Sequence, residues 1–424
     1  MAGVRRHSLR SVVKDPQLAP GGGRKLDLAG TWAPVLNRVR ERLLAEGSVR
    51  DRRIGIILPV EPKTAYLAVM LAQSGAQVAL AAPGALTQDD VAAGVAERGV
   101  QVFARSDSTP EEELEFYSEV LDRRPEVVID DRAALIRMAH TTHPQALQDL
   151  IGASEETTTG VVTLRAMARA GALRIPCIAA NDARCKHLFD NRYGTGQSTI
   201  TAVLDSTNLL LAGKVLLVIG YSWVGKGIAA RARGMGAKVT VSEVDPIAAL
   251  EALHDGFRVA PVTEACQTAE IVMTATGVPN ALPLEAIERL PDGALLANAG
   301  AVDDEFDMLR LRERAPGARL VRRNVEEFRL AEGRSVFVIG DGKVVNLSAG
   351  EGHPVEIMDL TFSVQALSAR HLLLRGSEMD SGVHLPPPEI DEWVARQKLE
   401  SLGVSIDHLT PEQESFFSDW EAHA

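Results

Sequence analysis

KVLLVIGYSWVGKG, residues 214–227, followed by KVTVSEVDP at 238–246, decides the fold class. An apolar run enters Gly220, a short turn follows, and GIAARARGMG continues as a helix before the next apolar run begins. Strand, glycine turn and helix in that order open a dinucleotide-binding βαβ unit. Gly220 makes the tight turn, and Gly225 lets helix and strand approach closely. Ser222 takes the middle position, where glycine lets a pyrophosphate reach the backbone, and Trp223 and Val224 complete the turn. Glu243 ends the next strand, 23 residues beyond Gly220. A carboxylate there accepts the adenosine-ribose hydroxyls and repels a 2′-phosphate, which favours NAD over NADP.

Downstream, IVMTATG (271–277), ALLANAG (294–300) and VFVIG (336–340) read as further strands of a Rossmann-like unit over about 195–350. Thr276 and Asn298, at two of these strand ends, are candidate cofactor contacts. Upstream, IGIIL (54–58), QVALAA (77–82), VQVFA (100–104) and EVVIDD (126–131) alternate with helical segments at 64–75 and 90–99. The expected class is therefore α/β, with two parallel-sheet domains. Ligands of such sheets bind beyond the carboxyl ends of the strands, where Asp130, Asp131 and the Pro59–Lys63 turn lie. Residues 1–25 read as a loose arm closed by PGGGRK, 30–46 and 354–375 as helices, and 376–389 as a linker into a short, acidic, partly helical tail.

Composition narrows the class. A net charge of −12 with mixed signs lacks the basic face of a nucleic-acid binder. The three cysteines, Cys177, Cys185 and Cys266, have no CxxC spacing, so neither a disulfide framework nor a metal signature is expected. The start, MAGVRRHSLRSVVKDPQ, is basic without an apolar h-region, and Lys214 interrupts the best apolar run. A cytoplasmic protein without a membrane span is the expectation.

NDARCKHLFDNRYGTGQS (181–198) places Lys186, Asp190 and Asn191 just ahead of the dinucleotide unit. Together with SEETTTG (154–160), GYSWVGKG, SEVDP (242–246), VVNLSAGEGHP (344–354) and LTPEQ (409–413), it resembles the S-adenosylhomocysteine hydrolase family over about 23–413. The resemblance implies a discontinuous substrate domain (1–190 and 354–385), an NAD-binding Rossmann domain (191–353), a C-terminal tail (386–424), a nucleoside substrate, and a homo-oligomer, tetramer or dimer. It also implies a redox-neutral cycle: the ribose 3′-hydroxyl is oxidised, the C4′ proton becomes acidic, the 5′ substituent leaves, water adds, and the ketone is reduced. By position, Lys186 and Asp190 handle the 3′-hydroxyl proton, and Asp131 stands near C4′. Glu156 accepts sugar hydroxyls. Asn191, Thr157, Thr158 and Thr159 orient the nicotinamide end, Asn346 is on the cofactor side, and His353 lies at the base edge.

The chain departs from that pattern at the 5′ and base ends. Pro59 stands where the family carries histidine, and Glu61 and Lys63 replace the Thr and Glu that help hold the adenine amine. Ala301 replaces a second active-site histidine, and Glu351 replaces a methionine. The family's Lys-Pro…Tyr-Arg-Tyr tail, which reaches a neighbouring subunit's cofactor, is absent; this chain ends SDWEAHA. Neither proline nor alanine relays a proton, so acid–base help at C5′ must change. The first expectation is thus a dehydratase that loses water and yields a 4′,5′-unsaturated nucleoside, as in nucleoside antibiotic biosynthesis. The others are a conventional S-adenosylhomocysteine hydrolase, a 3′-epimerase, and an NAD-binding regulatory pseudoenzyme.

Overall fold

The computed structural model describes residues 11–418. The first ten residues of the N-terminal arm and the segment after Ser418 in SDWEAHA lie outside this range. A seven-stranded parallel sheet runs, edge to edge, through Gly382–His384, Pro176–Ala179, Gly152–Glu155, Val127–Asp130, Arg53–Ile57, Gln77–Ala81 and Gln101–Phe103. An eight-stranded sheet follows the order Arg319–Arg322, Val325–Arg329, Ser335–Ile339, Ala294–Asn298, Ile271–Thr274, Val215–Ile219, Lys238–Ser242, Arg258–Val259. Only Val325–Arg329 runs antiparallel to its neighbours. Strands covered on both faces need continuous apolar sequence, and VLLVI and VVI supply it.

In each sheet the chain reverses direction of growth near the centre. In the first, the switch lies between Arg53–Ile57 and Val127–Asp130; in the second, between Val215–Ile219 and Ile271–Thr274. The carboxyl ends at those points carry Pro59–Lys63 and Asp131 in one domain, and Gly220–Gly225 and Thr276 in the other. That is where an open α/β sheet leaves a crevice for a ligand.

Three segments differ from the sequence expectation. PGGGRK is not a loose closure but part of the helix Ala19–Thr31. Its glycines serve packing: a Cβ on Gly22 would sit 1.8 Å from the Asp90 carbonyl oxygen, and one on Gly94 would sit 2.7 Å from the Gly23 nitrogen. The helices Ala19–Thr31 and Asp89–Glu97 thus touch backbone to backbone, and this contact outweighs the poor helix propensity of glycine. Within 376–389, Gly382–His384 adds an edge strand to the first sheet beside Pro176–Ala179. The helix Pro388–Ser401 is not a free tail. Asp391 accepts the Arg184 and Cys185 backbone N–H groups at 2.7 and 2.8 Å, Lys398 pairs with Asp359 at 2.9 Å, and Ile390 and Val394 are buried.

Gly22→Ala and Gly94→Ala should each destabilise the protein by about 1–3 kcal/mol, because the helices must separate to admit a methyl group. Thermal unfolding measures this; an unchanged midpoint would remove the close contact from the account.

Candidate active site

Sequence and geometry meet at residues 184–194. Arg184–Lys186 is a short helical turn, His187–Gly194 is a π-helix, and an ordinary helix resumes at Thr195–Thr207. An α-helical turn would send positions i+4 and i+5 to different faces. A π turn, with roughly 4.4 residues, puts both beside residue i. Lys186 Nζ accordingly lies 3.2 Å from Asp190 Oδ1 and donates to Asn191 Oδ1 at 2.8 Å. Glu156 Oε1 stands 3.6 Å away on its other side. Asn191 in turn donates to Asn181 Oδ1, which also accepts from the Thr158 hydroxyl, both at 3.3 Å.

Asp190 binds the elements together. It faces His353 Nδ1 at 3.0 Å and accepts the Thr361 hydroxyl at 2.8 Å. Burial opposes the Lys186 charge, but Asp190 and then Glu156 more than offset it and hold the ammonium above its ordinary value. Burial likewise opposes ionised Asp190, yet Lys186 and His353 prevail and keep its carboxyl well below the usual carboxylate range. For Glu156 burial wins over Lys186 and pushes the carboxyl up to about 7. Glu156 also accepts from Gln365 Nε2 at 2.7 Å. The site therefore holds a fixed cation, a fixed anion, and a carboxyl able to change state near neutrality.

These groups line a cavity of about 210 Å³ with Asp131, Pro59, Glu61, Lys63, Ala301, Val224 and Asn346. Leu58, Leu86, Leu347, Met358 and Phe362 give it an apolar wall suited to a flat ring. Burial raises the Asp131 carboxyl, and its Oδ1 has no hydrogen-bond partner among the described residues. Glu61 caps its helix, accepting from the Lys63 and Thr64 backbone N–H groups at 3.1 Å, and pairs with Lys63 Nζ at 2.6 Å.

The sequence candidates fall into groups. Lys186, Asp190, Asn191, Asp131, Glu156, Thr157, Thr158, Glu61, Lys63, His353, Val224 and Asn346 share the cavity. His353 is not free to read a base edge with its ring, because Nδ1 faces Asp190 and Nε2 faces the Thr195 hydroxyl at 3.1 Å. Glu351 lines an adjoining groove of about 800 Å³, and its carbonyl accepts from Lys63 Nζ at 2.8 Å. Thr159, Thr276 and Asn298 stand outside the cavity lining. The Thr159 hydroxyl points to Thr157, Thr276 is tied to Glu305, and the Asn298 amide donates to the Val302 and Gly342 carbonyls. Asn181, Thr195, Thr361 and Gln365 were not among the candidates. The last two lie four residues apart within LTFSVQAL, and polar residues at helical spacing in an otherwise apolar helix were their signal.

The glycine turn fits a dinucleotide. Gly220 has φ 94, and a Cβ on Gly225 would lie 1.9 Å from the Gly220 carbonyl oxygen. Ser222 is extended and its hydroxyl donates toward the Ala275 carbonyl at 3.5 Å, not to its own helix. The first N–H groups of the helix Trp223–Gly234 thus have no side-chain cap and suit a pyrophosphate. Trp223 packs its ring 5.4 Å from His187. Glu243 is fixed at its strand end by the Tyr221, Val244 and Asp245 backbone N–H groups. Asn346 donates to Ser198 at 3.1 Å, while its buried Oδ1 has no donor among the described residues, a deficit that a carboxamide N–H would fill.

Comparison with known proteins agrees with this geometry. The family model described as S-adenosyl-L-homocysteine hydrolase matches residues 10–143, and its NAD binding domain matches 191–352. An S-inosyl-L-homocysteine hydrolase of Methanopyrus kandleri is 46% identical over 413 residues, 97% of each chain. An adenosylhomocysteinase of Pyrococcus abyssi is 46% identical, covering 96% of this chain and 97% of its own. An S-inosyl-L-homocysteine hydrolase of Methanocaldococcus jannaschii is 44% identical, covering 96% and 98%. With these matches spanning both sheets and the cavity between them, the chain belongs to the S-adenosyl-L-homocysteine hydrolase family, an enzyme family whose cofactor is NAD.

Proposed function

We propose that the chain catalyses reversible hydrolysis of an S-ribonucleosyl-L-homocysteine to the nucleoside and homocysteine, with a 6-oxopurine as its preferred base. The reading rests on a substrate domain of 1–190 and 354–385 facing a cofactor domain of 191–353, with 386–424 as the C-terminal segment. Bound NAD supplies the hydride acceptor and donor at C3′. The residues supply the rest. Lys186 stabilises the 3′-oxygen as its proton leaves, with Asp190 fixing the ammonium. Ionised Glu156 accepts a ribose hydroxyl. Asp131, with an unpartnered oxygen, takes the C4′ proton. Asn346 orients the carboxamide.

The observation that carries the choice of base is the Lys63–Glu61 pair at the cavity wall. A 6-oxopurine offers an acceptor at O6 and a donor at N1. An ammonium facing O6 and a carboxylate facing N1–H satisfy both; adenine, with its donor at C6 and its acceptor at N1, would need the two charges exchanged. The relatives named as S-inosyl-L-homocysteine hydrolases support this reading. A second reading is carried by Pro59 and Ala301, which line the cavity without a titratable group. On that reading a 5′-hydroxyl leaves as water and a 4′,5′-unsaturated nucleoside remains. The relatives' names favour the hydrolase. Exposed Ile247, Leu250 and Leu253, on the helix after Glu243, support a homo-oligomer.

Purified enzyme given S-inosyl- and S-adenosyl-L-homocysteine should release thiol from the inosyl compound with kcat/KM higher by about tenfold or more. Equal rates would sink the base assignment. A nucleoside product lighter by one water, with no thiol released, would replace the hydrolase by the dehydratase. Lys186→Ala should abolish the near-UV absorbance of reduced cofactor that appears when inosine is added, while circular dichroism stays unchanged; normal absorbance removes Lys186 from the chemistry. As pH falls through about 7, Glu156 protonates and loses its charge, so it is a weaker acceptor and the rate of this reduction should fall. In Glu156→Gln that acidic limb should vanish from a lowered plateau. Persistence of the limb would assign it elsewhere.

A further inference from the structure

Asp131 is followed by two non-glycine residues in the left-handed region, Arg132 at φ 57 and Ala133 at φ 54. Each costs free energy that the surroundings must offset. Glu155 does so. Its buried carboxylate accepts the Arg132 N–H at 3.0 Å and the Ala133 N–H at 2.9 Å, and the Thr157 hydroxyl oxygen also accepts from Arg132 N–H at 3.1 Å. The backbone is thus held in a strained turn that sets an arginine at the cavity wall beside Asp131.

The lysines of the cavity have carboxylate partners and, on the hydrolase reading, face the ribose and the base. Lys186 is taken by Asp190 and Glu156, and Lys63 by Glu61. Arg132 is exposed and lines the same cavity, and no described carboxylate forms an ion pair with its guanidinium. Among the described residues it is the cation of the cavity that has no carboxylate ion pair and no part yet in binding the ribose or the base. On the hydrolase reading, Asp131 addresses C4′. The thioether is attached at C5′, one bond further, and the homocysteine chain that leaves there ends in an α-carboxylate.

We propose that the Arg132 guanidinium binds the α-carboxylate of the homocysteine moiety. The proposal rests on the hydrolase reading. It gives the strained turn a purpose: a planar fork of donors matches a carboxylate bidentately, a contact that a point charge such as lysine does not reproduce. No proton or electron moves through Arg132. It selects an amino-acid thiol over a plain one.

The test is thioether synthesis from inosine and a thiol. Arg132→Gly suits a left-handed backbone, so the fold is retained, and reduction of bound cofactor by inosine alone checks that it is. In this variant KM for L-homocysteine should rise about 10- to 100-fold, the loss of one charge-assisted contact. KM for 3-aminopropane-1-thiol, which lacks only the carboxylate, should change less than about twofold by the same argument. Arg132→Lys should fall between. An unchanged KM for homocysteine, or an equal rise for both thiols, overturns the assignment. Wild-type enzyme that reduces its cofactor with inosine but joins neither thiol overturns the hydrolase reading itself, and Arg132 loses its ligand with it.

Discussion

An ammonium group buried as deeply as that of Lys186 survives only where carboxylates neutralise it, and most of the active site follows from that requirement. Asp190 must stand within an ion pair of it, which a π turn achieves, and Glu156 must approach from the neighbouring strand end. Asp190 then needs its own donors. His353 comes from the loop ahead of the long helix Val355–Arg375, and Thr361 from inside that helix. One charge thereby ties segments distant in sequence to a single point. Replacing it with an apolar residue would leave Asp190 and Glu156 buried without their cation, so the members of the cluster depend on one another.

Much of this was legible in the chain. The apolar runs before Gly220 and Asp130 are strands because only β structure buries such short stretches on both faces. The glycine turn and Glu243 fall where their spacing put them. The polar cluster could be named because Lys186, Asp190 and Asn191 stand in the order and spacing of the family the chain resembles. Other features depend on neighbours distant in sequence. PGGGRK has the composition of a loop and becomes a helix only because Asp89–Glu97 packs against it. The edge strand Gly382–His384 is three residues long and takes its conformation from Pro176–Ala179. A π-helix has no pattern of its own, and Gln365 and Thr361 look like ordinary core positions until Glu156 and Asp190 are seen beside them.

The departures at Pro59 and Ala301 first argued for a lost hydrolytic half-reaction. The geometry and the relatives shift the weight. Pro59 begins a segment that ends in the Glu61–Lys63 pair, so the whole turn is rebuilt at the base end and not merely stripped of a histidine. Arg132 adds a positive charge to the same cavity wall, next to Asp131. Together they describe a cavity whose Lys186–Asp190 pair keeps the family's residues while the Glu61–Lys63 turn departs from them, which is what the proposed 6-oxopurine hydrolase requires.

That centre makes one claim above the rest: a ketone at C3′ lets Asp131 remove the C4′ proton reversibly. The direct measurement is proton NMR of inosine incubated with the enzyme in heavy water. The C4′ proton signal should disappear through exchange, without net oxidation of the nucleoside, and Asp131→Asn should slow that loss by orders of magnitude. A C4′ signal that persists while the bound cofactor is reduced would contradict the account.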